Sequence, residues 1–391
     1  MMLLTFWVVL AVVAASVSGY QFGSFKFGSA PGFKGPGTTK KDPALDRAKI
    51  GTLDVSAVGV GTIAWFSDKD KDSKVLDGVV RDALSQGCDF FDTAERYGSG
   101  GLEALGQGWG TGERFLSKYG DLGIKVGTKF TPTPSRRTAQ SVVDAAQRSC
   151  ERLGVTSLDL YQIHMPDIVQ PLKIFGLGET KDTVYWDGLA ECYKRGLVKN
   201  VGVSNYGPSL LLRASDHLSK RGVPLASNQI NYSLLHRLSG AQETVDIGNA
   251  MGLTTLAYFP LAMGLLSGKH SVGSEAALQS SGKSALELRE LRSYATAPLL
   301  KVMREIAQTR GKSVAQVALN WIICKGAIPI PGVRNGAQLE DNLGSRGWRL
   351  SSREVGALES AADLCQTFDG AGFKRSSGKF VGYGVEKWSL D

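Results

Sequence analysis

Asp92, Tyr97, Lys129 and His164 are the residues of this chain with the most chemistry to offer. A phenol near its ordinary pKa of about 10 is a poor acid at neutral pH, but a neighbouring ammonium stabilises the phenolate and moves that pKa toward a useful value. Lys129 is the candidate ammonium, Asp92 a carboxylate that would keep it protonated and pinned, and His164 a hydrogen-bond partner for an oxygen being reduced. Such a set protonates or deprotonates an alcohol oxygen while another group moves a hydride.

Their positions imply the frame that holds them. Asp92, Lys129 and His164 each stand where an apolar run breaks off, and Tyr97 follows Asp92 by five residues in DTAERYG. Buried strands that each end in one ionisable residue predict a parallel barrel delivering side chains to a common face. From Ile50 onward such runs alternate with amphipathic stretches, the sequence form of repeated βα units. Strands are predicted near 57–61, 88–92, 124–129, 157–163, 198–203, 224–229, 253–258 and 327–330, with repeat helices near 73–86, 101–118, 138–153, 183–195, 207–219, 240–250, 298–309 and 335–345. Helices near 313–324 and 351–362 are expected to pack outside the repeat. The fold class expected is α/β, a (β/α)8 TIM barrel with extra helices. The long stretches 167–182 and 264–297 follow strands four and seven, on the end that carries the four residues, so they are expected to shape a substrate pocket or cover a cofactor.

In six segments the chain resembles the aldo-keto reductases: GVGTIAWF (59–66), FDTAERYG (91–98), LDLYQIHMPD (158–167), GLVKNVGVSNY (196–206), AYFPLAMGLLSGK (257–269) and IPIPGVRNGAQLEDN (328–342). The resemblance runs from about Ile50 to about Leu364. It implies an Asp-Tyr-Lys-His tetrad at the four positions above, NADP(H) as cofactor, and reduction of an aldehyde or ketone to an alcohol. It also allows an NADPH-binding redox-sensing or regulatory subunit with slow turnover. A Schiff-base lyase with Lys129 as nucleophile would need neither Arg334 nor Tyr97.

No Rossmann fingerprint accompanies the hydride chemistry, since the glycines of GQGWGTG (106–112) do not fit GxGxxG in a strand-to-helix turn. The better phosphate site is PGVRNGAQLEDN, where Gly332 ends strand eight and a helix begins near Asn335, so backbone N–H groups and the helix dipole face an anion. Arg334 adds a guanidinium suited to a phosphate monoester. By resemblance, this segment binds the adenosine 2′-phosphate, with Gln338, Asp341 and Asn342 at adenine and ribose; the family more often has Glu at the position of Asp341. The resemblance also assigns Ser204, Asn205 and Gln229 to the nicotinamide carboxamide, Tyr258 to the ring, Leu261, Ala262 and Lys269 to the pyrophosphate, and Thr62 to a place beside the bound ring. Phe259 departs from the usual serine, removing a hydroxyl. Trp65, Phe66 and Met165 are candidates for an apolar pocket wall, and Glu95 and Arg96 read as loop residues that the proton transfer does not require.

At 391 residues the chain exceeds a minimal barrel, which implies one domain with extensions. Residues 1–41 hold Lys26, Lys34, Lys40 and Lys41 with no acidic residue, half of the formal charge of +8. The remainder is too weakly basic for a nucleic-acid surface. Residues 1–19 read as a signal peptide built on LLTFWVVLAVVAA, too short to span a bilayer. Residues 20–48 read as a disordered basic leader of transit type, residues 49–365 as the barrel and residues 366–391 as an irregular tail. The two-part leader predicts a plastid; the secretory pathway is the alternative. Five scattered cysteines, with no CxxC and no Cys/His metal spacing, predict buried thiols in a reducing compartment and no metal. The expected partner is a small carbonyl substrate.

Overall fold

Short apolar runs, buried on both faces, pair side by side in an eight-stranded parallel sheet. The computed structural model describes residues 42–66, 73–98, 109–133, 135–167, 182–238, 240–269 and 296–365. The predicted signal peptide, most of the leader, the tail and much of the two long loops lie outside the described residues.

The barrel strands are β3 (Val60–Gly61), β4 (Phe90–Asp92), β5 (Lys125–Phe130), β6 (Leu160–Ile163), β7 (Val201–Ser204), β8 (Leu225–Asn231), β9 (Thr254–Tyr258) and β10 (Ala327–Pro329), each paired with its neighbour in chain order. Each overlaps its predicted run, with Lys125–Phe130, Val201–Ser204 and Leu225–Asn231 extending one or two residues beyond it. Two bonds draw the sheet's edges together, from Gly59 N to Pro329 O at 3.0 Å and from Gly61 N to Pro331 O at 2.9 Å, and a parallel bridge pairs Gly61 with Gly332. Glycine is needed at this seam: a Cβ on Gly61 would lie 2.8 Å from Ile330 O, and one on Gly59 2.8 Å from Phe90 Cδ1.

An antiparallel hairpin outside the predicted strands, β1 (Arg47–Ile50) and β2 (Leu53–Ser56), precedes the barrel. Its Ile50, Leu53 and Val55 share a core with Phe90, Leu160, Ala226, Leu256, Ile328 and Ile330 from the strands. The hairpin therefore caps the strands at the end remote from the ionisable residues. The larger core lies between strands and helices and includes Phe91, Phe130, Tyr161, Trp186 and Val203.

The helices are α1 (Ser73–Ser85), α2 (Thr111–Leu116), α3 (Ala139–Leu153), α4 (Asp182–Lys194), α5 (Pro208–Ser219), α6 (Ala241–Ala250), α7 (Ala297–Arg310), α8 (Val314–Cys324), α9 (Gly336–Leu343) and α10 (Ser352–Asp363). The helix expected over 101–118 is described only as α2, which runs on into a 3-10 turn at Ser117–Leu122. One assignment is reversed. The helix that packs on β10 is α8, whereas α7 pairs with α10 outside the repeat. The reason is visible in α8, VAQVALNWIIC, which is buried from Ala315 to Ile323 apart from Gln316 and so has to lie between the sheet and its neighbours.

Candidate active site

Strands β4 and β5 are neighbours, so the carboxylate that ends one lies beside the ammonium near the end of the other. Lys129 Nζ donates to both oxygens of Asp92 and to Thr93 O, each at 2.7 Å, which uses all three of its hydrogens. Gln229 Nε2 adds a bond to Asp92 Oδ1 at 2.7 Å. Both charges are buried, Lys129 completely and Asp92 to within 3 %. Burial pushes the Asp92 carboxyl up and the Lys129 ammonium down from their ordinary values, and the attraction between them opposes both shifts.

The Tyr97 ring lies over this pair, its centroid 5.0 Å from Lys129 Nζ, and meets the His164 ring edge-on at 5.8 Å. The structure thus brings the four predicted residues together. It reverses one expected effect. Burial, followed by the charge of Asp92 and by Tyr258, drives the Tyr97 phenol well above its ordinary value, where the ammonium was expected to lower it. Lys129 is neutralised at contact distance by Asp92 and has no hydrogen left for the phenol. Tyr97 is therefore protonated at neutral pH, the state a proton donor requires. The backbone N–H of His164 donates to Phe130 O at 2.8 Å, and the ring's Nδ1 lies 3.4 Å from Thr131 Oγ1. Burial, with Lys129 and Arg96 nearby, depresses the imidazole well below its ordinary value, so the ring is neutral.

A second tier adjoins the four. Tyr258, at the end of β9, donates to Asn205 Oδ1 at 2.8 Å, and Asn205 Nδ2 donates to His164 O at 3.0 Å and Ser204 Oγ at 3.1 Å. Ser204 Oγ donates to Gln229 O at 2.9 Å, and Thr62 Oγ1 to Asp92 O at 2.9 Å. Asn205 holds a left-handed φ of 65°, a conformation asparagine tolerates better than most residues. Beyond Tyr258 the backbone is strained, with positive φ at Phe259 (49°), Ala262 (47°) and Met263 (55°). Leu261, Ala262 and Lys269 belong to this segment, and Lys269 is exposed with no ion pair among the described residues.

At the other end of the site, α9 begins after Asn335, whose side chain caps it by accepting from Gln338 N at 3.0 Å. Gln338 Oε1 in turn accepts from Arg334 N at 2.8 Å, and Gly332 faces open space. The Arg334 side chain is exposed and makes no ion pair among the described residues. Uncommitted guanidinium, capped helix start and side-chain-free glycine fit a phosphate monoester. Asp341 and Asn342 stand differently. Asp341 accepts from Ser313 Oγ at 2.6 Å, tying α9 to the start of α8, and Asn342 is buried.

One expectation from the sequence changes here and another is sharpened. Trp65 is not a pocket wall: it is 1 % exposed, stacks edge-on against Phe115 at 5.6 Å, and donates Nε1 to Val333 O at 2.8 Å, next to Arg334. Glu95 lies in the turn after β4, as a loop residue should, but it is 1 % exposed and ion-paired with Arg136. Neither contact has a local signature in the sequence, because each joins segments tens to hundreds of residues apart.

Known proteins resemble this chain in sequence and fold. A model of the aldo/keto reductase family matches residues 57–363. The chloroplastic pyridoxal reductase of Arabidopsis thaliana is 37 % identical over 330 residues, covering 81 % of this chain and 86 % of that protein. Among solved structures, the glycerol dehydrogenase of Gluconobacter oxydans superposes with a TM-score of 0.64 at 22 % identity, covering 86 % of this chain and 98 % of that one. A Bombyx mori aldo-keto reductase in complex with NADP gives 0.60 at 21 % identity, covering 82 % and 93 %. The chain belongs to the aldo-keto reductase family.

Proposed function

We propose that this NADP-dependent oxidoreductase reduces an aldehyde to an alcohol, with Tyr97 as proton donor and His164 positioning the carbonyl oxygen. The observation that carries the reading is the buried Lys129, fixed by Asp92 and Thr93 beneath the ring of a protonated Tyr97 and beside a neutral imidazole. NADPH, when bound, supplies the hydride. Tyr97 gives its proton to the carbonyl oxygen as negative charge develops there, and Lys129, fixed by Asp92 and Thr93, holds the floor on which the ring lies. Asp92 keeps Lys129 charged despite its burial, and Gln229 holds Asp92. Arg334 with Gly332 and Gln338 would hold the 2′-phosphate, Lys269 with Leu261 and Ala262 the pyrophosphate, and Ser204, Asn205, Gln229, Tyr258 and Thr62 the nicotinamide end. Asp341 and Asn342 are the weaker members of the set because both are already engaged within the fold.

The similarity to a pyridoxal reductase makes pyridoxal the first aldehyde to try. Titration with NADPH and NADH, followed by a panel of aldehydes that includes pyridoxal, tests the reading through cofactor absorbance. Turnover with NADPH preferred supports it. Tight NADPH binding with no turnover of any aldehyde would replace it with a sensing or regulatory role, and absence of binding would remove the cofactor assignment altogether.

We also infer delivery to a plastid, residues 1–19 acting as signal peptide and residues 20–48 as transit segment. The chloroplastic relative supports this, as does the supply of reduced cofactor there. A fluorescent fusion to residues 1–48 that enters the secretory pathway and stays there would contradict it.

A further inference from the structure

Glu95 lies two residues before Tyr97, yet its carboxylate faces the neighbouring strand's loop. Its Oε1 accepts from Thr131 N at 2.7 Å, and both its oxygens accept from Arg136, at 2.7 Å from Nη1 and 3.0 Å from Nη2. Arg136 Nη1 also donates to Thr131 O at 3.1 Å, and Arg136 N to Thr133 O at 3.0 Å. One carboxylate and one guanidinium therefore fix both the N–H and the C=O of Thr131. The guanidinium also lies 4.4 Å from the Phe130 ring centroid and 5.2 Å from that of Trp109. Glu95 O accepts from Gly110 N at 2.6 Å, which closes the Tyr97 loop from its other side. What this clamp holds in place is the Thr131 hydroxyl, fully buried and 3.4 Å from His164 Nδ1.

We infer that Glu95 is a positioning residue which, through Arg136 and Thr131, sets the tautomer of His164 and its placement opposite Tyr97. When the Thr131 hydroxyl donates to Nδ1, the single proton of the neutral ring sits on Nε2. Nε2–H is then the group available to donate to a substrate oxygen. The carboxylate that fixes this arrangement belongs to the same loop as the proton donor. Any shift of the Tyr97 loop therefore moves the Thr131 turn with it, and the two rings keep their separation of 5.8 Å. A clamp of this kind contributes to orientation, where misplacement by about 1 Å can lower a rate by about 100-fold.

The inference rests on the proposed proton transfer, but its decisive readout does not need turnover. In the full-length protein labelled with 15N-histidine, long-range proton–nitrogen correlations report the tautomer of His164, assigned by the loss of its signals in His164→Gln. The wild-type ring is expected as Nε2–H. Thr131→Ser is expected to keep that tautomer, and Thr131→Val, of nearly equal shape, to lose it along with about 10- to 100-fold in kcat. Glu95→Gln is expected to perturb the same signals and lower kcat while leaving the dissociation constant of NADPH within about twofold. A wild-type Nδ1–H tautomer would overturn the inference, as would a Thr131→Val protein with both tautomer and kcat unchanged. Should the wild type bind NADPH without reducing any aldehyde, the proton-transfer reading fails, and the tautomer in the two Thr131 variants still decides whether the clamp acts on His164.

Discussion

At the proposed proton-transfer end of the site, Asp92 and Lys129 are withdrawn from water and every ammonium hydrogen has an acceptor, whereas at the proposed phosphate turn Arg334 stands exposed with no ion pair among the described residues. The first arrangement is complete before any ligand arrives. Its bonds fix Lys129 and Asp92 beneath the ring of the proposed proton donor, so little reorganisation would be needed in the proposed reaction. The second is deliberately incomplete, a solvated cation beside a capped helix start, and its bonds form only with a ligand. A protein that selects a cofactor and then does chemistry on a substrate needs both kinds of construction, and here they are separate enough to be disabled one at a time.

The sharpest way to separate the two ends is to remove the phenol oxygen alone. Tyr97→Phe is expected to cost about 10² to 10⁴ in kcat while leaving NADPH affinity intact, the usual worth of a general acid. Stopped-flow reduction and cofactor titration on the same preparation give both numbers. The pH profile of the wild type sharpens this further. Burial raises the Tyr97 pKa, so the acid stays protonated through the neutral range, and the alkaline limb of kcat/KM for reduction should lie above the ordinary tyrosine value of 10.0. A limb near pH 8 would mean that Lys129 does lower the phenol pKa, with Asp92 failing to neutralise it.

Next in size is the ion pair itself. Lys129→Met strands the Asp92 carboxylate in a dry site, for which about 3–5 kcal/mol of stability is expected to be lost, read by urea unfolding. Combining it with Asp92→Asn removes the stranded charge and should restore part of that loss. At the other end, Arg334→Met should leave stability nearly unchanged and weaken NADPH by about 1.5–3 kcal/mol, the value of a charged hydrogen bond. NADH, lacking the 2′-phosphate, should be almost unaffected. Equal losses for the two cofactors would erase the distinction between the two ends.

The same contrast explains what could be read from the chain. The eight barrel strands were legible because parallel strands buried on both faces leave unbroken apolar runs, as in FFD at Phe90–Asp92 and VGVS at Val201–Ser204. The four reactive residues were legible because each follows such a run, directly or within a short loop. The hairpin at Arg47–Ser56 was overlooked although Gly51, with φ of 56°, and Thr52 make a two-residue turn between alternating segments; four-residue strands give too short a pattern. The exchange of roles between α7 and α8 turned on burial around the whole of α8, which a repeat count does not register. Glu95 reads as a loop residue with no role because nothing near it in the sequence names a partner. Its partners, Thr131 and Arg136, lie 36 and 41 positions away, and only the pairing of β4 with β5 brings them together.

Trp65 offers the smallest and most discriminating change. Its indole crosses from the loop after β3 to Val333 O, at a separation of 268 residues, and so braces the backbone that presents Arg334 from behind. Trp65→Phe keeps the aromatic packing against Phe115 but removes the donor, leaving a buried carbonyl without that bond. The expected cost is about 0.5–1.5 kcal/mol, felt as roughly a two- to tenfold weaker hold on NADPH with kcat at saturating cofactor unchanged. If the brace acts on the phosphate turn alone, NADH affinity moves much less than NADPH affinity. If kcat falls instead, the indole supports the proton-transfer end through Phe66 and Phe115, and the two halves of the site are mechanically joined after all.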